Sequence, residues 1–401
     1  MKVSRFVSLF FGLGFAASVF AAPDPNFHIY LAFGQSNMEG QGTIESKDKT
    51  VDPRFQMLST IDNFNGRKLG TWNDAIPPLA NKHGGLGPSD YFGRTLVEKL
   101  DPQIKVGVVV VAVAGCSIVL FDPPVSDSYW SSQAGWFMDI VKDYGGDPYQ
   151  RLVDMAKKAK EDGVIKGIIF HQGETDADDR DWPNKVKKVY DRLVKDAELG
   201  DNMPFFAGEV PHGGSASGAN NNIKQLPSKS KNFYIVSAEG LNDLDFMRLH
   251  FSSQGYRDFG KRYAEKVMEV LGDDLKPVST ASSSSETSSS SSVVSSSSVA
   301  ESSSSATGVI IVGNAAPSLG VGKVTFDNGN LMVPVTLAHD GAVKVRLYSV
   351  LGNEVANVSE MMNSGTNNVL MARKKIPSGV YMLSVQSASS RVIKRIELGN
   401  L

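Results

Sequence analysis

Ile29-Tyr30-Leu31-Ala32-Phe33 is a continuous apolar run that passes directly into Gly34-Gln35-Ser36-Asn37-Met38-Glu39-Gly40. Five apolar residues without alternation read as a strand buried on both faces, as in a parallel sheet covered by helices on either side. Similar runs follow at residues 106–113, 165–170, 204–210 and 233–236. Helical periodicities at residues 91–100, 149–161, 184–198 and 253–271 separate or follow them. Strand alternating with helix over about 250 residues predicts an α/β fold, a three-layer parallel sheet with helices on both faces. Ligands of such sheets bind beyond the carboxyl ends of the strands, so the residues after each run matter most.

The wider chain sets bounds. It has 401 residues, 41% hydrophobic and 21% charged, with a formal net charge of −2. That is enough for two or three domains, and nothing in the balance favours a nucleic-acid partner. Cys116 is the only cysteine, which excludes an internal disulfide framework and a cysteine-based zinc site. Residues 1–22 combine Lys2 and Arg5, an apolar run over 6–20 and small residues near Ala21 and Ala22. This reads as a secretory signal peptide, which makes the mature protein secreted or attached to the cell surface. There is no apolar run of 18 residues, hence no expected integral membrane segment.

Residues 279–307 hold 18 serines, two glutamates and no aromatic. Such a stretch cannot bury enough apolar surface to offset its ordering entropy. It reads as a linker with a mean reach of about 30 Å if it behaves as a Gly/Ser coil. It divides a body, residues 23–278, from a tail, residues 308–401. Serine linkers of this kind are common in secreted polysaccharide-degrading enzymes, a likeness of composition only.

Four blocks follow strands or precede the last helix. Ser36 in the first block is a small hydroxyl among glycines. The plain alternative is a helix N-cap. Met38 replaces the second glycine of a nucleophile elbow, and no Gly-Lys-Ser/Thr phosphate loop follows. Ala114-Gly115-Cys116-Ser117 follows the second strand, and Gly115 either offers a backbone N–H to a ligand or makes a tight turn. His171-Gln172-Gly173-Glu174-Thr175-Asp176 follows the third. Leu249-His250-Phe251-Ser252 precedes the last helix, where a loop histidine is structural unless other groups point to it.

Gly-Gln-Ser-Asn-Met, Gln-Gly-Glu and His-Phe, in that order, resemble the SGNH hydrolases. More narrowly they resemble carbohydrate esterase family six and the sialate O-acetylesterase-like group, which includes acetyl xylan esterases. The resemblance spans about residues 26–270. It is supported by residues 72–79 with Pro77-Pro78-Leu79, and by Gly87-Pro88 ahead of Tyr91-Phe92-Gly93. It implies a serine esterase without metal or organic cofactor, acting on an acetylated polysaccharide or oligosaccharide. Ser36 would be the nucleophile and His250 the base. The Ser36 and Gly115 N–H groups and the Gln172 amide would form the oxyanion hole.

Met247 stands where the family has an aspartate three residues before the histidine. Glu174 is the favoured triad acid here. Asp245 comes next, Asp243 is a weaker form of the same idea, and a dyad without a fixed acid is chemically possible.

Asp176, Asp178, Asp179 and Asp181 beside His171 suggest a metal site less than a solvated loop opening a helix. His28, His83 and His212 are expected to be structural or at the surface, and Cys116 a small buried hydrophobe. Trp72, Tyr129, Trp130 and Trp136 fall in expected loops, as sugar platforms or as anchors.

The tail predicts a small β-sandwich with strands at 323–326, 331–337, 343–348, 368–371, 380–385 and 392–398. Residues 347–352 and 376–381 resemble the C-terminal sorting domains of type IX secretion, which implies a secretion-machinery partner. The alternative is an accessory carbohydrate-binding or fibronectin-like module. The tail has no tryptophan and two tyrosines, which disfavours sugar stacking.

Overall fold

The computed structural model describes residues 22–243, 248–278, 319–327, 330–349, 354–372, 376–387 and 390–398. The expected signal segment up to residue 21, the expected serine linker, and Asp245 and Met247 lie outside the described residues.

Strand β1 is Phe27–Gly34 and is buried throughout. Its side chains alternate between two cores. Ile29, Leu31 and Phe33 enter one, Tyr30 and Ala32 the other. That two-sided burial is why the run carries no polar alternation. Around it lie β2 (Phe55–Leu58), β3 (Trp72–Asp74), β4 (Lys105–Ala112), β5 (Val164–His171), β6 (Phe205–Gly208) and β7 (Phe233–Val236). The sheet order is β3-β2-β4-β1-β5-β6-β7. All pairs are parallel except β2 with β3, so the sheet is mixed at one edge.

The chain runs outward from β1 to β2 and β3, returns to β4, then crosses over β1 to β5. The order therefore reverses at β1, which is where a crevice opens at the carboxyl edge. Register makes that edge level, because Gly34 lies opposite both Ala112 and His171. The blocks after β1, β4 and β5 thus emerge side by side.

The helices are α1 (Ser36–Glu39), α2 (Pro88–Lys99), α3 (Asp127–Ser131), α4 (Gly135–Asp143), α5 (Pro148–Ala159), α6 (Trp182–Asp196), α7 (Ala219–Ile223) and α8 (Ser253–Leu271). Apolar faces of α4, α5 and α6 cover the Phe33 side. Those of α2 and α8 cover the Tyr30 side, through Phe92, Leu96, Tyr256 and Phe259. The three-layer expectation therefore holds.

Three details differ from the sequence reading. β2 and β3 were not expected, and Tyr129, Trp130 and Trp136 sit in or beside short helices rather than long loops. Trp72 anchors the sheet edge, its ring 4.7 Å from Phe27 and its Nε1 donating to Asp162.

The tail forms two antiparallel four-stranded sheets. Its strands are β8 (Leu319–Val321), β9 (Thr325–Asp327), β10 (Asn330–Leu337), β11 (Gly341–Ser349), β12 (Glu354–Met362), β13 (Gly365–Ala372), β14 (Gly379–Gln386) and β15 (Arg391–Leu398). One sheet runs β13-β10-β8 with β9 also on β10, the other β12-β11-β14-β15. Val333 and Val335 of one sheet share a core with Val345 and Leu383 of the other. β8 and β12 add to the six expected strands. β12 is a mostly exposed edge strand that turns only Ala356, Val358 and Met362 toward the core, with Glu360 breaking the series, so its apolar face is hard to read. Tyr348 and Met382 of the tail pack on Ala216 and Leu249 of the body.

Candidate active site

Gly34 closes β1 with φ of +152°, and a Cβ there would lie 1.9 Å from the His171 carbonyl oxygen. Glycine is thus required where β1 meets β5. Gln35 donates its N–H to that same carbonyl at 3.0 Å, and the chain then winds into α1. Gln35 is the cap residue of this turn, not Ser36. Ser36 Oγ instead lies 3.0 Å from His250 Nε2, with both side chains buried. For Nε2 to accept the hydroxyl proton, the neutral ring must carry its own proton on Nδ1. The plain N-cap alternative for Ser36 therefore fails.

Gly115 turns out of β4 with φ of +73°. Its carbonyl accepts from Thr175 Oγ1 at 3.1 Å, which fixes the peptide. Neither the Ser36 nor the Gly115 N–H has an acceptor among the described residues. Two uncommitted N–H groups at one strand edge, beside a hydroxyl paired with an imidazole, suit a developing oxyanion.

Gln172 does not join them. Its Nε2 faces Gln35 Oε1 at 3.1 Å, the Cys116 carbonyl at 3.1 Å and Asp176 Oδ2 at 2.5 Å. Trp182 Nε1 donates to its Oε1 at 2.5 Å. Both amide hydrogens are consumed, so no donor remains for an oxyanion. The residue instead ties the first, second and third blocks together. Asp176 completes this wall by accepting from Ser117 Oγ and the Ile118 N–H. Burial pushes its carboxyl above the ordinary aspartate range.

Glu174 goes elsewhere than expected. Its Oε1 accepts from Asn37 Nδ2 at 2.5 Å and lies 3.4 Å from His171 Nδ1. Asp243 is held by Arg248, Nε to Oδ2 at 2.5 Å. His171 Nε2 meets the Glu209 carbonyl, which can only accept, so Nε2 carries the proton. Burial pushes this imidazole below its ordinary pKa, against the pull of Glu174.

The histidine loop ends at α8, where Ser252 Oγ accepts from the Gly255 N–H at 3.1 Å. Asn37 reaches this loop from α1. Its Nδ2 donates to the Leu249 carbonyl at 2.9 Å, and its Oδ1 faces the Phe251 N–H at 3.4 Å and the Tyr256 hydroxyl at 2.6 Å. Asn37 stands within the Gly-Gln-Ser-Asn-Met motif, yet its sequence position alone carries no sign of this task. Cys116 is buried, its thiol pushed well up by burial. Among the described residues no group of three or more His, Cys, Asp or Glu is arranged to hold a metal ion.

Residues 26–269 match the family described as carbohydrate esterase, sialic acid-specific acetylesterase. The chain belongs to that family. Residues 327–398 match the secretion system C-terminal sorting domain, which points to a secreted or cell-surface protein.

A probable carbohydrate esterase of Arabidopsis thaliana is 25% identical over 261 residues, covering 61% of this chain and 91% of that protein. Among solved structures, an Arabidopsis thaliana protein is similar at 22% identity and TM-score 0.47, covering 61% of this chain and 98% of that one. NanS is similar at 16% identity and TM-score 0.45, covering 62% and 98%. Among the described residues no helix is long and apolar enough to cross a membrane.

Proposed function

We propose that the body is a serine O-acetylesterase of acetylated glycans. The observation that carries this reading is the 3.0 Å pairing of Ser36 Oγ with His250 Nε2 beside two uncommitted N–H groups. Ser36 attacks the acetyl carbonyl carbon while His250 takes the hydroxyl proton. The Ser36 and Gly115 N–H groups hold the oxyanion. His250 then gives its proton to the departing sugar oxygen, and the C–O bond to the sugar breaks. Water attacks the acetyl-enzyme with His250 again as base, releasing acetate and restoring Ser36. All of these steps use groups of this chain.

Acetylated plant polysaccharide, xylan first, is the substrate class we favour. The support is the motif resemblance and the serine-rich stretch between body and tail. A second reading, O-acetylated sialate, is favoured by the family's own description. Residues 1–22 would direct export, and the tail would engage secretion machinery.

Acetate release from acetylated xylan and from an O-acetylated sialoside, by wild type and Ser36→Ala, tests both readings. Release by wild type alone supports the esterase, and the faster substrate assigns the class. A folded wild type that releases acetate from neither substrate, nor from a small acetate ester, overturns the proposal and leaves a glycan-binding body.

A further inference from the structure

Asn37 is completely buried and uses every hydrogen-bonding position it has. Its two Nδ2 hydrogens go to Glu174 Oε1 at 2.5 Å and the Leu249 carbonyl at 2.9 Å. Its Oδ1 faces the Tyr256 hydroxyl at 2.6 Å and the Phe251 N–H at 3.4 Å. The amide cannot be turned over, because the Leu249 oxygen and Glu174 carboxylate only accept and the Phe251 N–H only donates. Leu249 and Phe251 are the two neighbours of His250. One side chain therefore grips the backbone on both sides of the imidazole, from the residue adjoining Ser36 in the one-turn helix α1.

Three other ties of this loop among the described residues run elsewhere. The Ser252 N–H bonds the Asn242 carbonyl, Asp243 bridges Phe251, and Ser253 Oγ donates to the Thr43 carbonyl. None of these attaches to α1.

We infer that Asn37 is a positioning residue that sets His250 against Ser36, and that Glu174 acts through Asn37 by fixing its amide rather than on the imidazole. This rests on the esterase reading, and it changes the part given to Glu174. Held in this way, Nε2 stays at hydrogen-bonding distance from Oγ without rearranging during turnover. Displacement of a reacting group by about 1 Å can cost about 10²-fold in rate.

The test uses the full chain with four measurements: turnover of p-nitrophenyl acetate, labelling of Ser36 by a fluorophosphonate, the melting temperature, and the ring ¹⁵N resonances of His250 in histidine-labelled protein. Asn37→Ala should lower kcat and the labelling rate about 10²-fold with KM changed less than about threefold. Its His250 Nε2 resonance should move toward that of an unbonded imidazole. Glu174→Ala should lower kcat about tenfold or more, while Glu174→Gln, which keeps the acceptor oxygen, should restore most of it. The double variant should be no slower than Asn37→Ala, because the two residues act as one unit.

Effects that multiply in the double variant, or a Glu174→Gln as slow as Glu174→Ala, would show that the carboxylate charge acts independently and overturn the inference. An unchanged His250 ring spectrum in folded Asn37→Ala overturns it too. That spectrum needs no turnover, so a wild type that neither hydrolyses nor labels sinks the esterase reading alone. If Asn37→Ala does not fold, the Glu174 pair carries the test, since it retains Asn37 and alters only the group that anchors its amide.

Discussion

Glu39 sits three residues after Ser36, and burial pushes its carboxyl up to about 7 against donors from Asn81, Ala114 and Gln41. Asn81 Nδ2 lies 2.7 Å from its Oε1 and Gln41 Nε2 3.1 Å from its Oε2. A carboxyl whose folded pKa is raised contributes stability below its unfolded value, and that stability is lost as pH rises through the folded one. The window is thus from about 4.5 to about 7. Glu39→Gln removes the titration while keeping one acceptor oxygen. Relative to wild type it should gain on the order of 2–3 kcal/mol between pH 4.5 and pH 8.

Asp90, also raised to about 7, and His28, lowered to about 4, titrate in both proteins and cancel in that difference. Urea unfolding of both proteins at the two pH values checks this. A difference that stays constant with pH would mean Glu39 titrates normally. At this scale Ser36 and His250 were readable, because their motif blocks end strands or precede a helix. Gln172 was not. The direction of its amide is decided by Gln35 and Trp182, partners that only the folded chain supplies.

The elements that hold the site depend on close backbone approach where β1 meets β5. Gly34→Ala would place a methyl 1.9 Å from the His171 carbonyl oxygen at φ of +152°, so backbone must shift. We expect a loss of about 3 kcal/mol or more from urea unfolding, with Ser36 labelling slowed even in the folded fraction. A loss below about 1 kcal/mol would show that this edge relaxes cheaply.

Long apolar runs such as β1 and β4 were legible because burial on both faces leaves a continuous pattern. β2 and β3 have four and three residues, too few to show a period. α4 carries Phe137, Ile140 and Val141 at helical spacing, yet over little more than one turn and without a side-chain cap. β12 pairs on one side only and exposes most of its residues, so backbone pairing rather than burial makes it a strand.

At the scale of the molecule, body and tail have separate cores, with both sheet faces of the body closed by its own helices. Each should unfold as its own cooperative unit, so calorimetry of the full chain should show two transitions, and residues 23–278 alone should keep the body's. Among the described residues, contacts between the units fall beside residues of the candidate site. Gly115 lines a narrow crevice with Ser349, Gly379 and Val380 of the tail. On the other side Tyr348 and Met382 meet Leu249, the neighbour of His250.

The tail thus touches Gly115 and also Leu249, the neighbour of His250, and Ser36 is only 2% exposed. A small ester needs little room, whereas a polymer must lay several sugar rings across this edge. Cutting within the serine linker should therefore raise kcat/KM on acetylated xylan several-fold and change it less than about twofold on p-nitrophenyl acetate. Equal ratios for the two substrates would mean that the glycan reaches Ser36 without displacing the tail. A selective gain on the polymer would mean that the segment matched to sorting also keeps the esterase closed to glycans until it is removed.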